Sequence, residues 1–508
     1  MKEEVLICGA GPTGLVLALR LARAGIPIRI IDASAEPGTT SRALVVHART
    51  LEFYRQMGLS DAFLQEGLKF DSLNLWVRGR HVAHVELGAI GKGLTPFPHM
   101  IVSPQDRHER FLIEHLARAG VQVERGCELL DFEPRPDHVR VRLKRAGGRE
   151  ETYETPYLAG CDGSHSRVRE ILGSGFPGGT YSRIFFVVDV EASGPAMNDE
   201  LHVALDEADL LGIFPLRGGR TGRLIGTVRA DQEKDREALR WEDIGQTVVQ
   251  RMKITIERVN WFSTYRVHHR VATSFRRGRV FLLGDAAHVH SPVGAQGMNT
   301  GIGDAVNLSW KLADVIRGRA GPRILDSYEP ERIAFARRLV STTDRAFTFV
   351  SSTGPLARLV RVRVVPEVLP AIFRFRATRR FLFRTVSQTA IHYRESPLSA
   401  GRVGSLHGGD RLPWVRLGPP AQGEDNFAVL DGLEWQAHVY GKPAPGAAEA
   451  CRTLRLPLHR FGWEPAMGKA GLTRDALFLV RPDGHVALAD AGRDPSPLQR
   501  YVESLGRI

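Results

Sequence analysis

Val280-Phe281-Leu282-Leu283-Gly284-Asp285, followed by Ser291-Pro292-Val293-Gly294-Ala295-Gln296-Gly297-Met298-Asn299, is the stretch from which the fold can be read. Four apolar residues ending in a glycine predict a buried parallel strand. Asp285 then stands at its carboxyl end, where ligands lie in open α/β sheets. Gly294 and Gly297 let the following loop approach a flat ring closely. From Thr300 the spacing of Ile302, Ala305, Leu308, Leu312 and Ile316 predicts a helix with one apolar face. Its first amides favour negative charge on whatever they face.

Some 270 residues earlier, Gly9-Ala10-Gly11-Pro12-Thr13-Gly14 follows the apolar run Val5 to Cys8 and precedes a helix begun by Leu15, Leu19 and Ala22 and stopped by Gly25. Pro12 falls in the first helical turn, where its missing N–H costs little. Ile28 to Ile31 predicts the second strand. Asp32 at its end is placed to accept a ribose hydroxyl about 20 residues after the glycines. This is a dinucleotide site that by itself does not separate FAD from NAD. Between the two segments, Tyr157-Leu158-Ala159-Gly160-Cys161-Asp162-Gly163-Ser164 is another strand running into a tight turn. Three such segments in this order narrow the dinucleotide to FAD and the chemistry to monooxygenation. Asp285 then suits the hydroxyls of a ribityl chain, and the helix after Asn299 faces the flavin pyrimidine edge, where charge collects on reduction.

With these motifs the chain resembles the single-component, FAD-dependent aromatic hydroxylases of the p-hydroxybenzoate hydroxylase type. It is more similar to the branch acting on phenols and aromatic polyketides. The resemblance covers residues 1 to about 345. It includes Ser41-Arg42-Ala43 with Arg49-Thr50-Leu51-Glu52, and Pro104-Gln105 with Glu109 at a helix start. It implies that Arg42 and Gln105 touch the flavin or its ribityl chain, that Asp285 holds the ribityl hydroxyls, and that Asp162 lies near the pyrophosphate. The cofactor set is then Gly9, Gly11, Pro12, Thr13, Gly14, Asp32, Arg42, Gln105, Asp162, Gly163, Gly284, Asp285, Gly294, Gly297, Met298 and Asn299. Arg42, Pro292 and Met298 are the expected catalytic residues, Phe214 and Pro215 the substrate pocket, and no metal is expected. Ala295 stands where the family often has a second glycine, and a local backbone adjustment is expected there.

The expected fold is α/β. A Rossmann-like FAD-binding domain (1–70, 100–175 and 275–345) is interleaved with a mixed, mostly antiparallel sheet domain for substrate (71–99 and 176–274). Strands are read at Arg183 to Val190, Leu210 to Leu216 and Arg223 to Arg229. Residues 346–397 form a helical connector within a helical stretch, 320–397, broken by Pro322, Pro355, Pro366 and Pro370. There Arg358, Arg361, Arg363, Arg374, Arg376, Arg379, Arg380 and Arg384 interleave with Phe373, Phe375, Phe381 and Phe383. This basic face is read as packing on its own domain or a second subunit, with a membrane-surface helix as the alternative. Residues 398–508 resemble the thioredoxin-like C-terminal domain of the phenol hydroxylase branch, above all at Leu479-Val480-Arg481-Pro482-Asp483-Gly484. Strands are read there at Phe427 to Leu430, Thr453 to Leu458, Ala476 to Val480 and His485 to Ala489, and a helix from Pro497 to Leu505. Thioredoxin chemistry needs two close cysteines; Cys451 stands alone, so a structural or interfacial role is expected.

A net charge of +12 and pI near 9.8 suit nucleic acid, anionic lipid or an acidic substrate, but no nucleic-acid motif accompanies the charge. Cys8, Cys127, Cys161 and Cys451 are widely spaced, indicating neither a disulfide framework nor a zinc site. No signal peptide or membrane-length apolar run is read, so a cytoplasmic protein without a membrane span is expected, with a homodimer as one compatible assembly. The resemblance implies that NAD(P)H binds transiently and reduces FAD. O2 then adds at C4a, and the hydroperoxide hydroxylates a phenolic or polycyclic aromatic ring. His202, His288 and His290 are weighed as bases and none is assigned. Baeyer–Villiger oxidation by the same fold stays open as the alternative. A halogenase is disfavoured because Trp76, Trp241, Trp261, Trp310, Trp414, Trp435 and Trp463 show no Trp-x-Trp-x-Ile-Pro spacing. A flavin-binding protein without activity is the remaining rival.

Overall fold

The computed structural model describes residues 4–39, 43–70, 72–86, 90–205, 210–228, 239–244, 247–292, 294–351, 360, 364, 367–368, 375–418 and 424–506, apart from the side chains of 182 and 345–351. Val5–Cys8, every residue buried, is the central strand of a six-stranded sheet. It pairs in parallel with Ile28–Asp32 on one side and Leu158–Gly160 on the other. Val123–Arg125 extends the first side and Val280–Leu282 the second, both parallel. Only the short edge strand Arg276–Arg277 runs antiparallel. The three motif-bearing strands are therefore neighbours, and their carboxyl ends open in a row. The helices Pro12–Arg23 and Gly297–Ile316, which follow the first and the last of these motif strands, pack against each other.

The second sheet has eight strands in the order His288–Val289, Thr255–Val271, Gly178–Ser193, Thr221–Thr227, Leu210–Pro215, Leu201–Leu205, Ser72–Val77 and Arg80–Glu86. All neighbours are antiparallel except Leu201–Leu205 with Ser72–Val77. One face packs Ile184, Phe186, Val188, Leu211, Ile213 and Leu224 beneath Trp241 and the helix Thr247–Arg251. The other face carries Val187, Ile225 and Phe214, the last two packing with Val45, Phe70 and Val102 of a small three-stranded sheet and with Ala295 of the cofactor loop. His288–Val289 leaves the cofactor segment to join this sheet beside Thr255–Val271.

The C-terminal unit is built as Gln436–Tyr440, helix Ala447–Thr453, Leu458–Phe461, helix Pro465–Ala470, Leu477–Val480, Val486–Asp490 and helix Ser496–Ser504. The sheet has six strands in the order Leu458–Phe461, Gln436–Tyr440, Leu477–Val480, Val486–Asp490, Ala400–Val403, Leu406–His407; the first pair and the pair Val486–Asp490 with Ala400–Val403 are parallel, the others antiparallel. Two expected strands are corrected here. Phe427 to Leu430 belongs to a 3-10 turn at Ala428–Gly432. Thr453 ends a helix whose Ala447, Ala450 and Cys451 are buried at i, i+3, i+4 spacing, and the strand begins only at Leu458.

In the basic connector, Arg358, Arg361, Arg363, Phe373 and Arg374 lie outside the described residues. The helix Arg376–Val386 buries Phe383, while Phe375 and Phe381 are exposed. No helix among the described residues is long and apolar enough to cross a membrane.

Candidate active site

Three glycine turns separated in sequence fit together without room for a side chain. A Cβ at Gly9 (φ +102°) would lie 2.3 Å from the Cys161 carbonyl oxygen and 2.8 Å from the Asp162 nitrogen. At Gly14 it would lie 2.0 Å from the Gly9 carbonyl. Thr13 occupies the space beside both Gly284 and Gly301, its Oγ1 at 2.6 and 2.3 Å from the Cβ that either would carry. The segments 9–14, 161–163 and 284–301 thus form one continuous floor. Gly11, by contrast, faces open space within 4 Å, the cradle that a pyrophosphate approaching a helix start requires.

Polar side chains fix this floor. Asp32 accepts a hydrogen bond from the Ala10 amide at 2.8 Å and another from Ser34 at 2.8 Å. Its carboxylate therefore sets the glycine loop, and its remaining lone pairs are what a ribose hydroxyl can reach. Asp162 accepts from the Ser166 hydroxyl (2.6 Å) and the Val168 amide (3.0 Å), capping the helix Arg167–Leu172. Burial raises its carboxyl above the usual range. Gln105 opens the helix Gln105–Arg118 and donates to Glu109 at 2.8 Å. Asp285 is exposed on the 3-10 turn Gly284–Ala286. Arg42 lies outside the described residues, as does Val293; Pro292 and Gly294 are exposed, and Gly297 and Met298 half-buried.

Asn299 turns out to be a staple. Its Oδ1 accepts from the His47 amide (2.9 Å) and the Thr50 hydroxyl (2.8 Å), while its Nδ2 donates to the Val45 and Ala295 carbonyls at 2.9 and 3.0 Å. The side chain is saturated and locks the loop onto the segment following the second strand. The amides of Gly297, Met298 and Asn299 precede the first bond of the helix, made by Thr300 to the Gln296 carbonyl; these amides remain for a ligand.

Ala295 does not show the expected backbone adjustment. It keeps φ +51°, the left-handed conformation a glycine would take, with its amide bonded to the Pro292 carbonyl at 2.9 Å. The three histidines separate in role. His202 receives the Trp76 indole N–H (2.9 Å) on Nδ1 and bonds Asn198 (2.7 Å) through Nε2, a satisfied structural pair. His288 is held at 2.8 Å by the fully buried Asp304. His290 donates from Nδ1 to the Ser291 carbonyl at 2.9 Å, and its buried Nε2 has no partner. That atom lies 3.8 Å from where a Cβ on Gly297 would stand, beside the helix start. Burial lowers His290 to about 4, so it is neutral near pH 7.

Phe214 and Pro215 alternate along their strand and so point to opposite faces. Phe214 packs with Val45, Val102 and Ala295 and faces the loop; Pro215 belongs to the far face, a correction to its expected place in the pocket. Beside Phe214 lies a cavity of about 160 Å³, lined by Trp261, Arg223, Asp189, Leu216, Ser103 and Pro104 among others.

Asp304 is a residue that sequence reasoning missed. It accepts from the Gly284 amide (2.9 Å), His288 (2.8 Å) and Arg332 (2.5 Å), tying the cofactor turn to two neighbouring elements. Nearby charges, Arg332 foremost, hold its carboxyl below the usual range against the opposing effect of burial. The available signal was the spacing Asp304, Asn307, Lys311, Asp314, a polar stripe along a helix that otherwise reads as a solvated face.

A family profile described as FAD binding domain matches residues 2–343. The chain is 39% identical over 402 residues to the 6-methylpretetramide 4-monooxygenase of Streptomyces rimosus, covering 78% of this chain and 71% of that one. It is 32% identical over 509 residues to a flavin-dependent monooxygenase of Mycobacteroides abscessus, covering 96% and 98%. Among solved structures it is similar to OxyS anhydrotetracycline hydroxylase from Streptomyces rimosus, with a TM-score of 0.78 and 29% identity over 99% of both chains.

Proposed function

We propose that this chain, which belongs to the FAD binding domain family, hydroxylates a phenolic or polycyclic aromatic small molecule with NAD(P)H as transient electron donor. It is a flavoprotein monooxygenase, an oxidoreductase carrying FAD. The ring substrate and the nicotinamide donor are our reading. The observation that carries it is the junction of the three glycine turns beneath a sheet face bearing Phe214.

Overall, NAD(P)H, a proton, O2 and an aromatic C–H become NAD(P)+, water and a phenolic C–OH. FAD, when bound, supplies the two-electron transfer and the activation of O2. The chain's own groups supply position and dryness. Gly11 and the first amides of Pro12–Arg23 receive the pyrophosphate, with Asp32 at the ribose and Asp285 at the ribityl hydroxyls. The amides of Gly297, Met298 and Asn299 face the flavin pyrimidine edge, and Gln105 and Arg42 the ring or its side chain. His290 Nε2 offers a neutral acceptor for a ligand O–H or N–H, without the desolvation cost of burying a charge. Phe214 and Pro292 exclude water on either side of the ring.

We divide the chain into an FAD-binding domain (1–70, 100–175, 275–345), a substrate domain (71–99, 176–274), a connector (346–397) and a C-terminal domain (398–508). Supporting the thioredoxin-like reading of the last are the β-α-β-α-β-β-α order of its part from Gln436 to Ser504 and the sequence 2-1-3-4 of those four strands, which Ala400–Val403 and Leu406–His407 extend at one edge. A redox role is not part of it: Cys451 is buried, and burial pushes its thiol up. All four cysteines are free and buried, which suits a cytoplasmic setting; size-exclusion chromatography reads whether the chain is a homodimer.

The test is anaerobic stopped-flow reduction of the FAD-loaded protein by NADH or NADPH across phenols, salicylates and polycyclic phenols. One class should accelerate reduction well beyond the substrate-free rate, and Arg42→Lys should blunt this, because lysine lacks the planar guanidinium. Indifference to every aromatic, with conversion of a ketone to an ester, would establish Baeyer–Villiger oxidation instead.

A further inference from the structure

Four large apolar side chains stand exposed among the described residues, Val364, Val368, Phe375 and Phe381, and all fall within residues 364–381. The same part of the chain carries the charge. Residues 345–394 hold ten arginines, no lysine and a single acidic residue, Glu367, so nine of the twelve excess positive charges lie in a tenth of the length.

The helix Arg376–Val386 turns both properties outward. Phe383 is its buried residue, and a Cβ on Gly91 would lie 2.6 Å from the Phe383 ring. On the exposed side Arg376, Arg380 and Arg384 follow one another at i, i+4, i+8, beside Ala377, Phe381 and Thr385. Like charges at that spacing oppose helix formation, and none of the three arginines has an ion pair among the described residues. Asp410, whose charge acts on Arg384, is bonded by Arg394 at 2.6 and 3.0 Å. A cavity of about 250 Å³ opens between Arg380, Phe381 and Arg384 and the neighbouring Leu94 and Ala390. Two guanidinium groups beside a phenyl ring match a phosphate joined to an apolar chain.

A second copy fits this face poorly, because symmetric pairing sets the arginine row against itself. An acidic protein surface answers the arginines alone, whereas rings exposed by 67% and 68% favour an apolar layer beneath the charge. An anionic bilayer presents both, phosphates above acyl chains. We propose that Arg376–Val386, with Phe375 before it, docks the protein on an anionic phospholipid surface. The arginines meet headgroup phosphates, and Phe375 and Phe381 enter the upper acyl region. The contact is peripheral and needs no span. Just beyond the helix, Gln388 donates to the Thr300 hydroxyl at 2.9 Å, and the Ser387 carbonyl accepts from the Arg49 amide at 3.2 Å. The docked helix is thereby tied to the start of the cofactor helix.

Flotation of the full-length, FAD-loaded protein with lipid vesicles supplies the test. Phosphatidylcholine vesicles containing phosphatidylglycerol should carry at least about tenfold more protein than phosphatidylcholine alone at about 0.1 M NaCl, and far less at about 1 M. Arg376→Gln, Arg380→Gln and Arg384→Gln together should abolish this excess, and Phe375→Ser with Phe381→Ser should lower it several-fold. Arg140→Gln, Arg142→Gln and Lys144→Gln remove the same charge from the exposed side of Val139–Lys144 and should leave binding unchanged. Each variant is compared at wild-type flavin content. The comparison of the two vesicle types needs no variant, and no preference for the anionic one overturns the proposal. So does an equal loss in the two triple variants, which would leave only the overall basic charge. Binding unaffected by loss of both rings also overturns it, and capture by immobilised polyglutamate would then assign the arginines to an acidic protein. Displacement from the vesicles by glycerol 3-phosphate would assign them to a soluble phosphate anion instead. A dimer of the wild type that dissociates in the Phe375→Ser, Phe381→Ser variant would make the face a subunit interface. Flotation reads binding without turnover, so its outcome is separate from the hydroxylase reading.

Discussion

At Ala295 the chain places a Cβ where the backbone is left-handed, at φ +51°. L-residues pay about 1–2 kcal/mol for that conformation, partly offset by the smaller entropy loss of alanine relative to glycine. The residue stays there because Asn299 holds its carbonyl and the Pro292 carbonyl holds its amide. Ala295→Gly should therefore stabilise the protein by roughly 0.5–1 kcal/mol, read as a higher midpoint in urea unfolding of the FAD-loaded enzyme. A fall in the midpoint would show that the Ala295 methyl packing against Phe214 and Val102 outweighs the strain. The sequence shows the alanine but not what it does to the chain; whether backbone or side chain yields depends on bonds from Asn299, four residues away, and Pro292. The motif glycines were legible because each needs only strand before and helix after, a local condition. What separates His290 from the other histidines weighed as bases, and Asp304 altogether, was not, because an unpaired Nε2 and a three-way acceptor exist only once distant segments meet.

The helix Gly297–Ile316 shows the same boundary between local and distant information. Its apolar positions Ile302, Ala305, Leu308 and Leu312 were readable from their period, and all are buried. Its polar stripe is buried as well. Lys311 donates to Glu331 at 2.8 Å, and Arg481 meets the same carboxylate at 2.8 and 3.0 Å while bonding Asp483 at 2.6 Å. Asn307 and Ser396 complete the shell around Glu331, each at 2.6 Å. The turn Arg481–Gly484, read from sequence as part of the stretch that carries the thioredoxin-like resemblance, is thus the plug by which the C-terminal unit docks on the cofactor helix. Arg481→Ala leaves Glu331 with Lys311 as its one remaining cation and should cost about 3–5 kcal/mol. Arg481→Met with Glu331→Gln should recover part of that loss. Denaturation monitored by flavin release and by far-UV circular dichroism checks both. If Arg481→Ala unfolds at the wild-type midpoint, the plug contributes nothing to stability and its role is confined to positioning. Strands were misread in this same unit because short apolar runs such as Phe427 to Leu430 carry no period long enough to separate strand from turn.

Over the molecule as a whole, six buried histidines are held neutral. Burial lowers His47, His202, His290 and His485 to about 4, and His108 and His438 to about 3. They are spread across cofactor, sheet and C-terminal segments, so their titration reports on the entire fold. The sign follows from linkage: each native imidazole takes up its proton at lower pH than in the unfolded chain, near 6.5. Below about pH 6.5 the unfolded state binds more protons, and stability falls until the native values near 4 and 3 are reached. Each histidine contributes up to about 1.4 kcal/mol per pH unit within its window. A second source of acid loss runs in the same direction, since the chain already carries +12 at pH 7 and gains charge as carboxylates protonate. Salt separates the two. Repulsion between surface charges is screened over about 10 Å at 0.1 M and about 3 Å at 1 M ionic strength, whereas the desolvation of a buried imidazole is not. Urea midpoints measured from pH 7.5 to 5 should therefore fall below pH 6.5 at both 0.1 and 1 M NaCl, with most of the slope surviving the higher salt. His438, in the interior of the C-terminal sheet between Gln436 and Tyr440, supplies the control. His438→Asn retains a donor and an acceptor but cannot titrate, so its pH slope should be shallower than wild type by about one proton's share. A slope abolished by 1 M NaCl would assign the acid sensitivity to the basic surface and remove the histidines from the account.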